Sequence, residues 1–472
     1  MVLLTGQDQA ARVTPVGIRS LVHERISYLA LGIGLVLLSA GLVLTWRVSH
    51  TFGGDFDHFY VVAKTLASGF DLYATTDLGS VYRQFDESDA HIPWGIFNNP
   101  SVGVAILPLI ILPVEAARSV WFLLSVGVLL VGVYQLMRLF APSWTLGVRI
   151  AVLGTLMCTS AARWGFYYLQ PAPLIFGLLC LYLVALNRKR SVLAGVAAAF
   201  VLCLKATLAL PFIALALLQR RYALAGCVLA IWVLANGLGF LRMGGIDALH
   251  GYQSNMALFQ QADQLNYPDF RAPNSMQQLD WPYLLNAVDP NLTRSDWLAK
   301  VLTGVSLLIL MWQWLRCRAL AEPVETARVF LGPLVCLCLL SVYHHHYDAI
   351  VLFGPVIGYL STPGRHAKQL IVLFVVPVMV FAGLYQVEES QVLLDRAFGD
   401  GASLIMKLLG VICVNLAFVA SLLLLNEFVC ARAGPLPLSR APGKRLISLA
   451  ARRLSTCAAS ARHLTAPRTL WP

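Results

Sequence analysis

The chain reads as an all-α polytopic membrane protein of about 12 transmembrane helices, and three observations predict this. Of its 472 residues, 58% are hydrophobic and only 12% charged, with a mean hydropathy of +0.70. Apolar runs near 20 residues recur along most of the length, each long enough to cross about 30 Å of hydrocarbon as a helix. Backbone groups in lipid must be bonded internally, which makes a helical bundle the expected fold.

The spans are read at 26–46, 98–113, 116–138, 147–163, 170–187, 191–218, 222–241, 298–316, 324–342, 347–361, 369–386 and 404–426. An even number leaves both basic ends on the cytoplasmic side. Residues 1–25, with Arg12, Arg19 and Arg25, form a cytoplasmic N-terminus, not a cleavable signal. Residues 26–426 form the transmembrane domain, with extracytoplasmic loops at 47–97, 242–297 and 387–403. Residues 427–472 form a basic cytoplasmic tail; from Ala431 onward it holds eight Lys or Arg and no acid. The net charge of +11 lies largely there, so it speaks for a lipid surface and against nucleic acid. One patch resists this count. Arg188-Lys189-Arg190 falls outside, so either the charge rule is broken there or the proline-interrupted span 98–113 does not fully cross.

None of the ten cysteines lies in the three outer loops, which argues against a disulfide framework. No CxxC or His/Cys zinc spacing occurs, so neither a metal nor a cofactor is expected. The first outer loop is acid-rich: Asp55, Asp57, Asp71, Asp77, Asp86, Glu87 and Asp89. Within it, GGDFDHFYVVAKTLASGFDLY (53–73) reads as an amphipathic helix lying along the outer surface. Phe56, Phe59, Tyr60, Ala63, Leu66 and Ala67 share one face; Asp57, Lys64, Thr65 and Ser68 share the other; Gly69 supplies the stop. Asp55 stands where an N-cap is expected, and a carboxylate fixed at the lipid–water boundary is also suited to act as a general base toward a hydroxyl.

That stretch resembles the signature after the first helix of glycosyltransferase family 87, and further segments follow in the family's order. FNNPSVGVAILPLIILP resembles its Asn-Pro-Pro segment, with Ser101 for the second Pro. YYLQPAPLIFGLL resembles its Gly-Gln segment, with Leu169 where Gly is usual. AGVAAAFVLCLKATLALPFIALALLQRR resembles its Lys-Pro segment, with Ala206 for Pro. APNSMQQL and LSVYHHHYDAIVLFGP resemble its late Asn-Ser and His/Tyr-Asp segments, and the likeness runs over roughly residues 26–362. The family belongs to the GT-C fold class and includes bacterial polyprenyl-phosphomannose-dependent alpha-1,2-mannosyltransferases. The resemblance implies an inverting transfer of a sugar, mannose first, from a polyprenyl-phosphate donor to a hydroxyl of a glycolipid or glycan acceptor. It places the enzyme in the bacterial inner membrane with its site on the extracytoplasmic face. It maps the catalytic carboxylate onto Asp55, with Asp57 as the fallback.

The lipid phosphate needs cationic or hydrogen-bonding groups that meet its growing charge. Lys205, inside an apolar run, is the first candidate, because an intramembrane Lys is costly without a function; the plain alternative is snorkelling or pairing with a polar neighbour. His344, His345 and His346 are the next, although a run of three cannot all face one site. Asp348 can orient one of them or simply cap a helix. Gln170, Asn98 and Asn274 are candidates for sugar hydroxyls, and Arg163, beside Trp164, is a further candidate for the phosphate whose first reading is an interface anchor. Three rivals remain open: a secondary transporter, against which the missing repeat symmetry argues; an acyltransferase using His345, which would leave Asp55 idle; and an arabinofuranosyl or other pentosyl transferase of the same fold.

Overall fold

The computed structural model describes residues 15–49, 54–73, 98–259, 278–317, 323–342, 344–361, 373–379, 392, 395–399 and 402–433. In chain order the helices are α1 (Pro15–Ser49), α2 (Gly54–Ser68), α3 (Pro100–Ile106), α4 (Val114–Phe140), α5 (Leu146–Cys158), α6 (Ser160–Tyr167), α7 (Ala172–Asn187) and α8 (Ser191–Leu204). They continue as α9 (Ala206–Leu218), α10 (Tyr222–Arg242), α11 (Ile246–Phe259), α12 (Trp281–Val288), α13 (Leu292–Cys317), α14 (Pro323–Ser341), α15 (Phe353–Leu360) and α16 (Ala402–Ala433). Short 3-10 stretches, Leu107–Ile111 and His346–Leu352, follow α3 and precede α15.

Among the described residues, six helices are long and apolar enough to cross a membrane, lying within α1, α4, α10, α13, α14 and α16. The pair α5–α6, bent by 57°, makes a seventh if it is one span. Several of these helices expose large apolar side chains, such as Leu29 and Val36 on α1, Leu234 and Leu238 on α10, and Leu308 and Trp312 on α13. Such faces suit lipid, not water. Because lipid gives no hydrophobic reward for helix–helix contact, close backbone approach must supply the packing. Glycines allow it: Gly34, Gly147 and Gly154 seat α5 on α1, and Gly132 meets Gly177 where α4 crosses α7. A Cβ at any of these would overlap the facing backbone.

Hydrogen bonds identify two ends of the bundle. At one end α2 touches the start of α4, the end of α6 and the end of α10, through Asp57–Arg118, Asp55–Tyr168 and Ala67–Arg242. At the other, Arg188 reaches Gln135 near the end of α4, Arg221 reaches the Leu186 carbonyl, and Trp314 of α13 donates to the Leu218 carbonyl. Two segments expected as single spans behave differently. Segment 98–113 begins at Asn98, whose carbonyl accepts from the Tyr73 hydroxyl, and its last residue but one is Leu112, whose carbonyl accepts from the Tyr60 hydroxyl. Both its ends therefore lie beside α2 and the turn that follows it. Segment 191–218 breaks at Lys205 into α8 and α9, and its first and last residues both lie at the Arg188–Arg221 end. It is a hairpin whose tip is Lys205. The Arg188-Lys189-Arg190 patch consequently shares an end with Arg220 and Arg221, which removes the charge conflict found in the sequence. Most of the 387–403 loop, the 369–386 span outside 373–379, and the tail beyond Ala433 lie outside the described residues.

Candidate active site

α2 forms as the pattern predicts, and Gly69 ends it in the left-handed region at φ +76°, with its N–H on the Thr65 carbonyl. Its surroundings correct the surface-helix reading. Phe56, Phe59, Tyr60, Ala63 and Leu66 are buried, but so are Val61, Val62 and Thr65, while Ala67 is exposed. Val61, Val62 and Leu66 pack with Leu72, Tyr73, Met243 and Ala248 in a second apolar cluster, so α2 is clasped on two sides. Thr65 tolerates burial because its hydroxyl bonds the Val61 carbonyl at 2.8 Å.

Asp55 sits within the first turn of α2 and not before it. Its N–H donates to the Tyr168 carbonyl at 3.1 Å. That carbonyl is aimed by the end of α6, where Leu169 takes φ +49° and the Gln170 N–H reaches back to the Gly165 carbonyl at 2.8 Å. This is the turn in which Gly is favoured, and Leu169 accepts it while buried, its own carbonyl receiving the Trp121 indole N–H at 2.9 Å. Trp121 in turn packs on Phe56, with ring centres 5.4 Å apart.

The two aspartates of α2 differ. Asp57 forms a two-pronged pair with Arg118, at 2.8 and 2.6 Å. Among the described residues no ion pair engages Asp55. Burial raises the Asp55 carboxyl above its ordinary value; the charges of His58 and Lys205 oppose this, and those of Asp57 and Asp348 add to it. These influences put Asp55 within electrostatic reach of the tip of the α8–α9 hairpin.

At that tip Lys205 adopts φ −155° and ψ 89°, which stops α8, and Ala206 begins α9. The family's Pro at this place would be a natural first residue of α9; Ala206 keeps the break without it. Lys205 Nζ donates to Asp348 Oδ2 at 2.6 Å and lies 5.4 Å from the centre of the Tyr347 ring. His344 Nδ1 meets the same Asp348 oxygen at 3.0 Å, and its Nε2 lies 3.6 Å from Cys338 Sγ. Burial pushes the His344 ring below its ordinary pKa, so a neutral ring with its proton on Nδ1 fits the contact. The break leaves α8 carbonyls without helical partners, and one of them, on Cys203, receives the Ser101 hydroxyl at 3.0 Å. Ser101, where the family favours Pro, also uses an N–H that Pro lacks, on Asn236 Oδ1 at 3.2 Å.

The other predicted residues scatter around this cluster. His346 is fully buried, edge-on to Trp164 with ring centres 5.9 Å apart. His345 is buried too and forms an antiparallel bridge with Gln278. Trp164 stacks on Tyr168, and the Tyr168 and Tyr347 rings lie 6.3 Å apart, so the residue that holds Asp55 by its carbonyl is in ring contact with the histidine turn. Gln170 is buried, Asn98 bonds Tyr73 through its carbonyl, and Arg163 is exposed on α6. Asn274 lies outside the described residues.

Sequence reading missed Arg118 and Asp280. Nothing local marks Arg118, whose partner is 61 positions away. Asp280 did carry a signal: an Asp before Trp-Pro is a helix start, and its carboxyl caps α12 through the Tyr283 N–H at 3.0 Å. Burial pushes that carboxyl up to about 7, against two backbone N–H donors, Tyr283 and His344, that pull it down.

No curated protein matches the chain. Its middle does match a family, over residues 97–341, which takes in Arg118, Gln170 and Lys205 but stops short of Asp55 on one side and His344 on the other. That match is narrower than the likeness read from the motifs, yet it covers more than half of the chain. The protein is a membrane glycosyltransferase belonging to glycosyltransferase family 87.

Proposed function

We propose that the enzyme transfers a sugar, most simply mannose, from a polyprenyl-phosphate donor to a hydroxyl of a glycolipid or glycan, with Asp55 as the general base. The observation that carries this reading is the placement of Asp55, which no ion pair engages among the described residues, beside the Lys205–Asp348–His344 cluster: Tyr168 holds its N–H, the Tyr168 and Tyr347 rings lie 6.3 Å apart, and Lys205 Nζ lies 5.4 Å from the Tyr347 ring. In the reaction Asp55 takes the proton of the acceptor hydroxyl. The acceptor oxygen bonds the anomeric carbon from the face opposite the phosphate, the bond from that carbon to the phosphate oxygen breaks, and the configuration inverts. Polyprenyl phosphate leaves with one more negative charge than it carried as a diester. Lys205 spends one of its three protons on Asp348, which leaves two to meet that charge. Asp348 fixes the ammonium, and His344 fixes Asp348.

The cationic end of the bundle is assigned to the cytoplasm by the charge rule, which puts Asp55 on the extracytoplasmic side of an inner membrane. Labelling of single cysteines, in a background without native cysteines, checks this with an impermeant reagent in intact cells. Cysteine at Asn291 should react and cysteine at Lys189 should not; the reverse pattern inverts the orientation. The function itself is tested with purified protein, a short glycan acceptor and a panel of polyprenyl-phosphate donors bearing mannose, arabinofuranose or glucose. Transfer from mannose alone supports the reading, transfer from arabinofuranose alone replaces the sugar, and no transfer from any donor removes the donor class.

A further inference from the structure

The turn that carries His344 and Asp348 is closed on itself, the Asp348 N–H donating to the His345 carbonyl at 2.9 Å and the His345 N–H to Asp348 Oδ2 at 3.3 Å. α14 stops at Ser341, His345 is extended at φ −84° and ψ 164°, and the following helix is of the 3-10 type from His346 to Leu352. Such helices hold short stretches weakly. The turn places Asp348, which holds Lys205, and His344, which holds Asp348; its internal bonds set its shape, and contacts with neighbouring elements set where it stands against Lys205.

One element that grips its backbone is the segment that ends the second outer loop. Leu279 N–H donates to the His344 carbonyl at 2.9 Å, and Gln278 bridges His345. The His344 N–H returns a bond to the Asp280 carboxyl, which also takes the Tyr283 N–H at 3.0 Å. Trp281 then ties the segment to α16, its indole N–H donating to Asn415 Oδ1 at 2.8 Å. Asp280 is 2% exposed, so its two acceptor contacts are made away from competing water.

We propose that Asp280 is a positioning residue for the transfer reaction: by gripping the backbone of His344 while capping α12, it holds the His344–Asp348 turn against Lys205. This rests on the functional reading above. A carboxylate suits the task because it offers two acceptor oxygens and no donor. A helix cap alone requires one acceptor, and Ser or Asn would serve equally. The bond from the His344 N–H is therefore the part of Asp280's work that reaches toward the site.

Two variants separate the roles. Asp280→Asn keeps one acceptor for the α12 cap but turns an amide toward His344. Asp280→Ser keeps the cap and is too short to reach the turn. Each is purified with the whole chain in detergent. Transfer is assayed with polyprenyl-phosphate mannose, and amide exchange is followed by mass spectrometry over 281–288 and 344–352. The expected result is a fall in kcat of about 10²-fold, the scale of a small misplacement of a reacting group, with donor KM nearly unchanged. Exchange should quicken in 344–352 and stay as in the parent protein in 281–288. Parent-like kcat and exchange in either variant overturns the proposal. Faster exchange confined to 281–288 also overturns it, by reducing Asp280 to a cap. If the parent protein transfers from no polyprenyl-phosphate donor, the functional reading fails, and the exchange measurement still decides whether Asp280 tethers the turn.

Discussion

The two ends of the bundle handle charge in opposite ways. At the α2 end three carboxylates are buried or half-buried and matched with partners: Asp57 with Arg118, Asp348 with Lys205 and His344, and Asp280 with backbone N–H groups. At the other end Arg188, Lys189, Arg190 and Arg220 are exposed. Exposed cations on an apolar bundle suit anionic lipid head groups and cost little, because water and lipid phosphate solvate them. Buried charges are different. Each must be paired or hydrogen-bonded, and an unmatched one marks a place where something else is meant to bind or react. Among the described residues no ion pair engages Asp55, and its carboxyl is held up by burial beside the Lys205–Asp348 pair.

The comparison breaks first if Asp55 is dispensable. Asp55→Asn should fold, since the residue is held by its backbone N–H and not by its carboxyl. Its turnover should fall by about 10²–10⁴-fold, the range of general-base contributions. The parent enzyme should lose activity as the pH drops. Burial raises the folded carboxyl above 3.8, so the base is protonated earlier than a free aspartate and the acid limb of kcat lies above that value. A variant that keeps parent turnover while Asp57→Asn does not would move the base two residues along.

Lys205 tests whether the matched pairs at this end are chemical or only structural. Asp348 is fully buried and Lys205 is 20% exposed on its side chain. Lys205→Met strands a buried carboxylate, a loss of about 3–5 kcal/mol, and should lower the yield of folded protein. The double variant Lys205→Met with Asp348→Asn removes both charges and should recover thermal stability. Donor affinity and kcat should stay low in it. Parent-like transfer by the double variant would leave the ion pair a structural feature and take the phosphate role away from Lys205.

A smaller effect is expected at Asp57. Its pair with Arg118 is about one third exposed on both sides, so solvent screens it and it is worth about 1 kcal/mol or less. Arg118→Gln and Asp57→Asn should each lower kcat only a few-fold, and the double variant should add nothing, because both act through one contact. Additive losses would show that the two residues do separate work.

Much of this end was legible in the sequence, and the gaps have physical causes. The extent of α2 and its stop at Gly69 followed from spacing and from a residue that accepts positive φ. The break at Lys205 was visible only as a condition attached to that lysine's cost. Hydropathy cannot tell 28 apolar residues that cross once from two half-helices that fold back, because both bury the same side chains. Two segments, 98–113 and 191–218, were misjudged for this reason, and the Arg188–Arg190 conflict was the trace they left. The partners Arg118 and Asp280 act across the fold, and pairing over such distances has no periodicity to read. At two of the departures from the expected pattern the residues find other uses: Ser101 supplies a hydroxyl to the broken helix, and Ala206 starts the next.

The third departure, Leu169, yields the smallest effect and the most discriminating sign. At φ +49° a residue with a Cβ is strained by about 1–2 kcal/mol, which glycine would relieve. Leu169 is also 3% exposed, and losing a buried leucine side chain costs about 1.5–3 kcal/mol. The two effects nearly cancel, with burial slightly ahead. Leu169→Gly should therefore lower thermal stability by about 1 kcal/mol or less. What aligns Asp55 is the direction of the Tyr168 carbonyl, and that direction depends on the left-handed turn and not on the leucine side chain. Glycine holds this turn as well or better. Turnover of Leu169→Gly should stay near that of the parent. Leu169→Val should do worse on both counts, because a β-branched residue fits positive φ poorly. If glycine lowers kcat as much as valine does, the side chain and not the turn sets Asp55 in place.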